Sequence, residues 1–360
     1  MDKEQILQEL QKGVASWNHW RKQKAIGEIN LDGVALDGMN LDEYDLSKVS
    51  LRNAQITRCS FKHADLILAN LQSSLLRNND FSHAKLIAAN LANCDLSNSI
   101  LFRANMLTAN TRNARLENID FRGHDISGLI LRNISLAGSN LEGQQLARVD
   151  LSNSNLEGVN LQRADLSSAL LTSTNLTGVD LRGATLVGAI FKSANLHNVD
   201  LNHMDLQKSD FSGANLSGAD LRGANLTKVK LTEANITGAK LWRTTSAGWQ
   251  IAKIQCEHAF WDKNGKEKTI YRTHEFERIF AEAMTIDLRY PYRLADHELA
   301  TLPIFIEHLA ASHWGTILRL KSITDVAGGA LVKFVVEEMG SHNPTELKAQ
   351  LQAEGRNKKE

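Results

Sequence analysis

Ala214-Asn-Leu-Ser-Gly, Ala219-Asp-Leu-Arg-Gly and Ala224-Asn-Leu-Thr-Lys follow one another without a break. Each block carries a small residue, a polar residue and a leucine in the same order. With the register fixed on the leucine, and that position called the centre, the series runs from Leu31 through Leu36 and Leu41 to Leu241. Of 43 centres, 42 are Leu, Ile, Phe or Met, and Thr111 is the one departure. No residue is inserted or deleted between them. Two positions before the centre the side chain is small or apolar, as at Ala54, Ala64, Ala69, Ala84 and Ala89, with Cys59 and Cys94 among the rest. One position before the centre usually stands Asn, Asp, Ser or Thr, and two positions after it often Asn or Gly.

A period of five suits neither a helix, with about 3.6 residues per turn, nor a strand, whose faces alternate with a period of about 2. It suits a chain that turns a corner every five residues and places one large and one small side chain inside each time. Asn and Gly tolerate tight corners. Ala64-Asp65-Leu66, Ala214-Asn215-Leu216 and Ala219-Asp220-Leu221 match the pattern of the pentapeptide-repeat family, which the chain resembles from residue 31 to 241. The resemblance implies a mainly β fold, a right-handed quadrilateral β-helix. Four corners make a coil of about 20 residues, and coils stacked about 4.8 Å apart give a rod of ten to eleven coils, roughly 50 Å long. Phe61, Phe81 and Phe121 then share one inward column, and Phe191 and Phe211 the opposite one.

The 360 residues are 42% hydrophobic and 23% charged, enough for a buried core. Lys plus Arg equals Asp plus Glu at 41 each, so no net charge draws the chain to nucleic acid or an anionic membrane. Three prolines suit a long β-ladder, because proline removes a ladder donor. Cys59, Cys94 and Cys256 are few and far apart, so neither a disulfide framework nor a zinc site is expected. The charged start Met1-Asp-Lys-Glu-Gln has no export signature, no apolar run approaches the roughly 18 residues that span a bilayer, and a cytoplasmic location is expected.

Both ends of a solenoid need covering. Residues 1–25 read as a capping helix with an apolar stripe of Ile6, Leu10, Val14 and Trp17. A membrane-surface helix would need a more basic polar face. Residues 26–246 form the repeat. Residues 247–272 read as a hairpin cap from Trp249 to Trp261 with a turn at Asn264-Gly265, and Trp242, Trp249 and Trp261 are expected to seal the far end. Residues 273–340 read as a small α/β module: a helix capped by Thr273, strands at 284–290, 316–323 and 330–338, a helix at 296–314 and a turn at Gly328-Gly329. Residues 341–360 form a polar tail.

The sequence contains no metal-ligand spacing among its 12 histidines and no phosphate-binding or nucleophile motif. No cofactor, metal or catalytic residue is assigned, and the protein is not expected to be an enzyme. The remaining enzymatic reading uses His297, Glu298, His308 and His313, which have no nucleophile beside them. His63 and His83, with Arg103 next in the column, read as surface residues. Ile119, His124, Leu129, Ile134 and Gln144 enlarge the small inward position, so the section should swell there, and His124 and Gln144 need buried hydrogen-bond partners.

Positions flanking the centre should face water, which makes apolar residues there informative. Ile67, Ile87 and Leu107 form one outward column, with Leu68 and Ala88 beside it and Phe102 on the adjoining face. Ile130, Leu170 and Ile190 form a second, interrupted by Asp150. The candidate contact residues are Ile67, Leu68, Ile87, Phe102 and Leu107. Either the chain's own termini cover them, or a protein partner or second copy docks there, or they are simply exposed. The reading favoured is a protein–protein interaction scaffold. The alternative implied by the resemblance is a DNA mimic acting on a type II topoisomerase such as gyrase, to protect or inhibit it. Mimicry needs a strongly negative surface. Residues 26–241 hold 22 acids against 20 bases. Direct nucleic-acid binding and membrane attachment are not expected.

Overall fold

The computed structural model describes residues 2–23, 29–124, 126, 129–280, 285–290, 296–326, 329–338, 347–351 and 353. The chain divides into two compact units, Met1–Thr185 and Leu186–Glu360.

The first unit begins with α1 (Lys3–Gln11) and α2 (Val14–Gln23). A single helix was expected. Gly13, at φ +98°, breaks it, because that backbone conformation lies outside the helical well. Asp2 caps α1 by accepting from Gln5 N–H at 2.8 Å. Ile6, Leu10 and Trp17 of the stripe are buried, whereas Val14 is exposed. The helices bond to the first coils: Trp17 Nε1 donates to Asp45 O at 2.8 Å, Tyr44 OH to Leu10 O at 3.1 Å, and Arg21 to Ser47 O at 2.5 Å.

From Leu31 the backbone repeats one short unit. The centre's carbonyl accepts the N–H three residues on, as from Ala64 to Phe61 at 3.0 Å. Every described fifth residue from Gly33 to Lys253 has φ between 53° and 78°. A positive φ at the third position of such a turn defines type II, which explains the Asn and Gly found there. Each side then contributes one ladder residue before the next corner. Bridges join residues twenty apart, all parallel, as at Ser60↔Asp80 and Asp80↔Ile100. Only β1 (Ala35–Asp37) and β2 (Gln55–Thr57) extend this to a three-residue strand pair. Twenty residues per coil and five per side give four sides. The inward columns stack as expected, with ring centroids 4.8 Å apart for Phe61–Phe81 and 4.6 Å for Phe191–Phe211.

Inward polar residues share a pattern. Several reach the carbonyl of the centre 23 residues earlier: Ser74 to Leu51, Asn79 to Ile56, Ser99 to Leu76, Ser139 to Leu116, Gln144 to Phe121 and Ser154 to Leu131, at 2.6–2.8 Å, whereas Thr244 donates to Leu241 O within its own turn. His124 meets Leu101 O in the same way. Both partners required for His124 and Gln144 are therefore found. Thr111, the exception among the centres, is buried and donates its hydroxyl to Ile130 O at 2.7 Å. The Asp and Asn before each centre accept the N–H two residues on, as Ile67 N–H to Asp65 at 3.0 Å, and asparagines stack in amide ladders such as Asn70–Asn90–Asn110.

In the second unit the coil geometry outlasts the sequence repeat. Arg243, Gly248 and Lys253 keep the positive φ, Ile251 and Ile254 stay buried inside, and bridging continues at Lys230↔Gln250 and Asn235↔Gln255. The coil thus runs past the expected end at residue 246. The hairpin is correspondingly shorter, β3 (His258–Phe260) against β4 (Lys268–Ile270). Its connection is organised by Asp262, whose carboxylate accepts from the N–H groups of Asn264, Lys266 and Glu267.

α3 (Glu275–Phe280) starts two residues after Thr273, and the Glu275 carboxylate reaches back to accept from Arg272 N–H, ahead of the helix, at 2.8 Å. Trp249, Trp261, Tyr271, Phe276 and Phe280 cluster here, with Trp249 Nε1 donating to Phe280 O at 3.0 Å and Trp261 Nε1 to Tyr271 OH at 2.6 Å. Trp242 stays apart, under the Arg243 guanidinium. β5 (Thr285–Tyr290), α4 (Asp296–Trp314), β6 (Ile317–Val326) and β7 (Gly329–Glu338) follow. The sheet order is β5-β7-β6, antiparallel throughout. The expected turn at Gly328-Gly329 falls partly outside the described residues, as does most of the tail.

Candidate interaction surface

The ladder sets the outward column in register. Leu68 N–H donates to Ile87 O at 3.0 Å and Ala88 N–H to Leu107 O at 2.9 Å, so Ile67, Ile87 and Leu107 follow one another on successive coils. Leu68 and Leu107 are each 52% exposed and Phe102 50%, while Ile67 and Ile87 are half-buried. The chain's own described residues leave these side chains open to water.

Leu68 stands out among the corners for its large apolar side chain. It occupies the third turn position at φ +59°, a slot that Asn or Gly fills best. A leucine there costs roughly 1 kcal/mol or more in backbone strain, and it also holds an apolar side chain in solvent.

Aromatic rings border the column. His63 and His83 stack at 4.7 Å, His83 meets Phe102 edge-on at 5.5 Å, and Phe102 meets His124 edge-on at 6.5 Å. The Arg103 guanidinium lies 5.3 Å from the Phe102 ring centre. Sequence reasoning passed over Ile100, which is 54% exposed beside Phe102. The signal was available: an apolar residue stands one before a centre, where the repeat wants a polar one. Ile130 and Leu170 of the second column are also exposed.

The carboxylates are occupied elsewhere. Asp180 and Arg182 pair at 2.6 Å, Asp120 and Arg122 at 2.8 Å, and Asp95 with Arg77 at 2.5 Å. Among the described residues no cluster of His, Cys, Asp and Glu is placed to hold a metal ion, and no helix is long and apolar enough to cross a membrane. His308 lies exposed on α4, while the side chains of His297, Glu298 and His313 fall outside the described residues.

The family described as Pentapeptide repeats matches residues 29–66, 64–101, 80–118, 134–172, 164–202, 174–213 and 205–243. The chain belongs to the pentapeptide-repeat family. Members of this family fold as right-handed β-helices, and the coil above is that fold. Among solved structures, HetL from the cyanobacterium Nostoc sp. strain PCC 7120, a pentapeptide repeat protein involved in heterocyst differentiation regulation, is 28% identical; the match covers 71% of this chain and 97% of HetL with a TM-score of 0.26. QnrB1, a plasmid-mediated fluoroquinolone resistance protein, is 19% identical over 63% of this chain and 93% of its own, with a TM-score of 0.30. A pentapeptide repeat protein from the Arabidopsis thaliana thylakoid lumen is 28% identical over 42% of this chain and 76% of its own, with a TM-score of 0.16. Superpositions this loose carry no argument beyond the shared repeat. No curated protein matches the chain.

Proposed function

We propose that this protein is a non-enzymatic interaction scaffold that holds a protein partner on the outward strip Ile67, Leu68, Ile87, Phe102 and Leu107. The observation that carries the reading is Leu68, a large apolar side chain at an outward corner, 52% exposed beside the equally exposed Leu107 and Phe102. A contiguous strip of large apolar side chains held in water marks a contact surface. Repeat proteins offer extended surfaces of this kind. In this reading α1 and α2 act as the cap of the first coils, and the Trp249–Trp261–Phe280 cluster closes the last ones. The module from α3 to β7 is a separate presentation surface.

A photo-reactive side chain at position 107, in the full chain inside cells, tests the proposal. A cross-link to a discrete partner protein, or to a second copy as a homodimer, is expected. Labelling confined to solvent and abundant bystanders contradicts it.

A further inference from the structure

Among the described residues of the first unit, the β-ladder is interrupted beside Leu101. In the regular coil each centre donates its N–H to the next coil and receives a bond back, as Phe81 to Ile100 O and Ile100 to Asn79 O, both at 2.8 Å. At the next step the partner of Leu101 would be Asp120. Among the described residues no backbone bond joins Ser99–Leu101 to Asp120, and Ile130 carries no bridge at all. On another side the same two coils remain joined, with Leu116 N–H donating to Ser135 O at 2.7 Å and Ser135 N–H to Ala114 O at 3.1 Å.

His124 sits in the opening. Its ring fills the place where the regular coil would offer the carbonyl of Arg122, and Nε2 stands 3.1 Å from Arg103 N. The result is a half-open cleft of about 530 Å³ lined by Asn98, Ile100, Phe102, Asp120, Arg122 and His124.

We propose that this cleft binds an extended segment of a partner protein, which adds as a strand to the open edge. The proposal rests on the scaffold reading only in taking the ligand from a protein. Ser99 O, Leu101 N–H and the two backbone groups of Asp120 present alternating acceptors and donors without ladder partners among the described residues, which is what an extended peptide backbone reads. Ile100 and Phe102 offer an apolar wall, 54% and 50% exposed. Charge selects the sequence. Asp120 already neutralises Arg122, whereas Arg103, at the lip over Phe102, has no carboxylate partner among the described residues. The peptide therefore alternates apolar residues with at least one acidic residue.

The test uses the full chain and capped pentapeptides in which valine, isoleucine, leucine or phenylalanine alternates with aspartate, serine or lysine. Each is paired with a version methylated on its central amide nitrogen. The aspartate series is expected to bind at least about tenfold tighter than the lysine series, and methylation to weaken it by about tenfold or more. The backbone amide signals of Leu101 and Asp120 should shift on binding, and Phe102→Ser, an exposed and therefore foldable change, should weaken it. Equal binding of methylated peptides overturns strand addition. No binding by any member at millimolar concentration overturns the site, yet leaves the strip around Leu68 to be judged by its own cross-linking test.

Discussion

The serine at position 139 shows how a single side chain is accommodated inside the coil. Its hydroxyl donates to Leu116 O at 2.7 Å and accepts from Ile119 N–H at 3.0 Å, so it bridges the ends of one turn. Ser139→Ala leaves a buried donor and acceptor unpaired and is expected to cost about 1–3 kcal/mol in urea unfolding. Buried thiols behave as core. Burial pushes Cys94 and Cys256 up to about 12, so native protein should not react with a thiol reagent at neutral pH, and all three cysteines should react after denaturation. The hydrogen-bonded Arg182 draws the Asp180 carboxyl from 3.8 down to about 2. Asp120 and Asp165 are lowered too, by Arg122 and Ser167. Their folded values lie below the unfolded ones, so this stability is present above pH 3.8 and is lost as pH falls towards about 2. Denaturation midpoints measured across that range should fall with pH and level off above it. The inward and outward assignment of such residues was legible from the period alone. The bond from each inward polar residue to a carbonyl 23 positions earlier was not, because it depends on the coil's pitch.

At the scale of the element, the corner decides. Gly138 and Gly143 share nearly the same φ, 68° and 69°, but a side chain at Gly138 would collide with Asn118 Oδ1, while Gly143 faces open space. Gly143→Ala should cost about 1 kcal/mol from backbone strain. Gly138→Ala should cost more, because Asn118 must give up its bond to Asn98, 3.0 Å away. Equal unfolding midpoints for the two variants would show that the amide ladder contributes nothing. The break between α1 and α2 was missed in the sequence because the stripe of Ile6, Leu10 and Trp17 keeps helical spacing across Gly13. The coil beyond residue 246 was missed because Ser246 stands at a centre, although Gly248 and Ile251 preserve the turn and the core. α4 was readable end to end, since its pattern lies in one uninterrupted run.

For the molecule as a whole, charge bounds the role. Equal numbers of acids and bases, 41 each, give no field like that of a phosphate backbone. Stoichiometric protein is therefore expected to leave gyrase supercoiling and its fluoroquinolone sensitivity unchanged, and strong inhibition or protection in that assay would reverse the ranking of the two functions. The family was legible from the repeat. The exposed strip was legible as a pattern, but whether the termini covered it depended on the fold, and the opening beside His124 depended on which ladder bonds form. The central claim is that Leu68 is kept for contact at the expense of stability. The direct measurement compares the wild-type chain with Leu68→Asn for both unfolding midpoint and partner capture by the photo-reactive position 107. The account predicts a protein more stable by about 1 kcal/mol, since Asn suits a positive φ, with partner capture markedly reduced. Undiminished capture by the Leu68→Asn protein would contradict it.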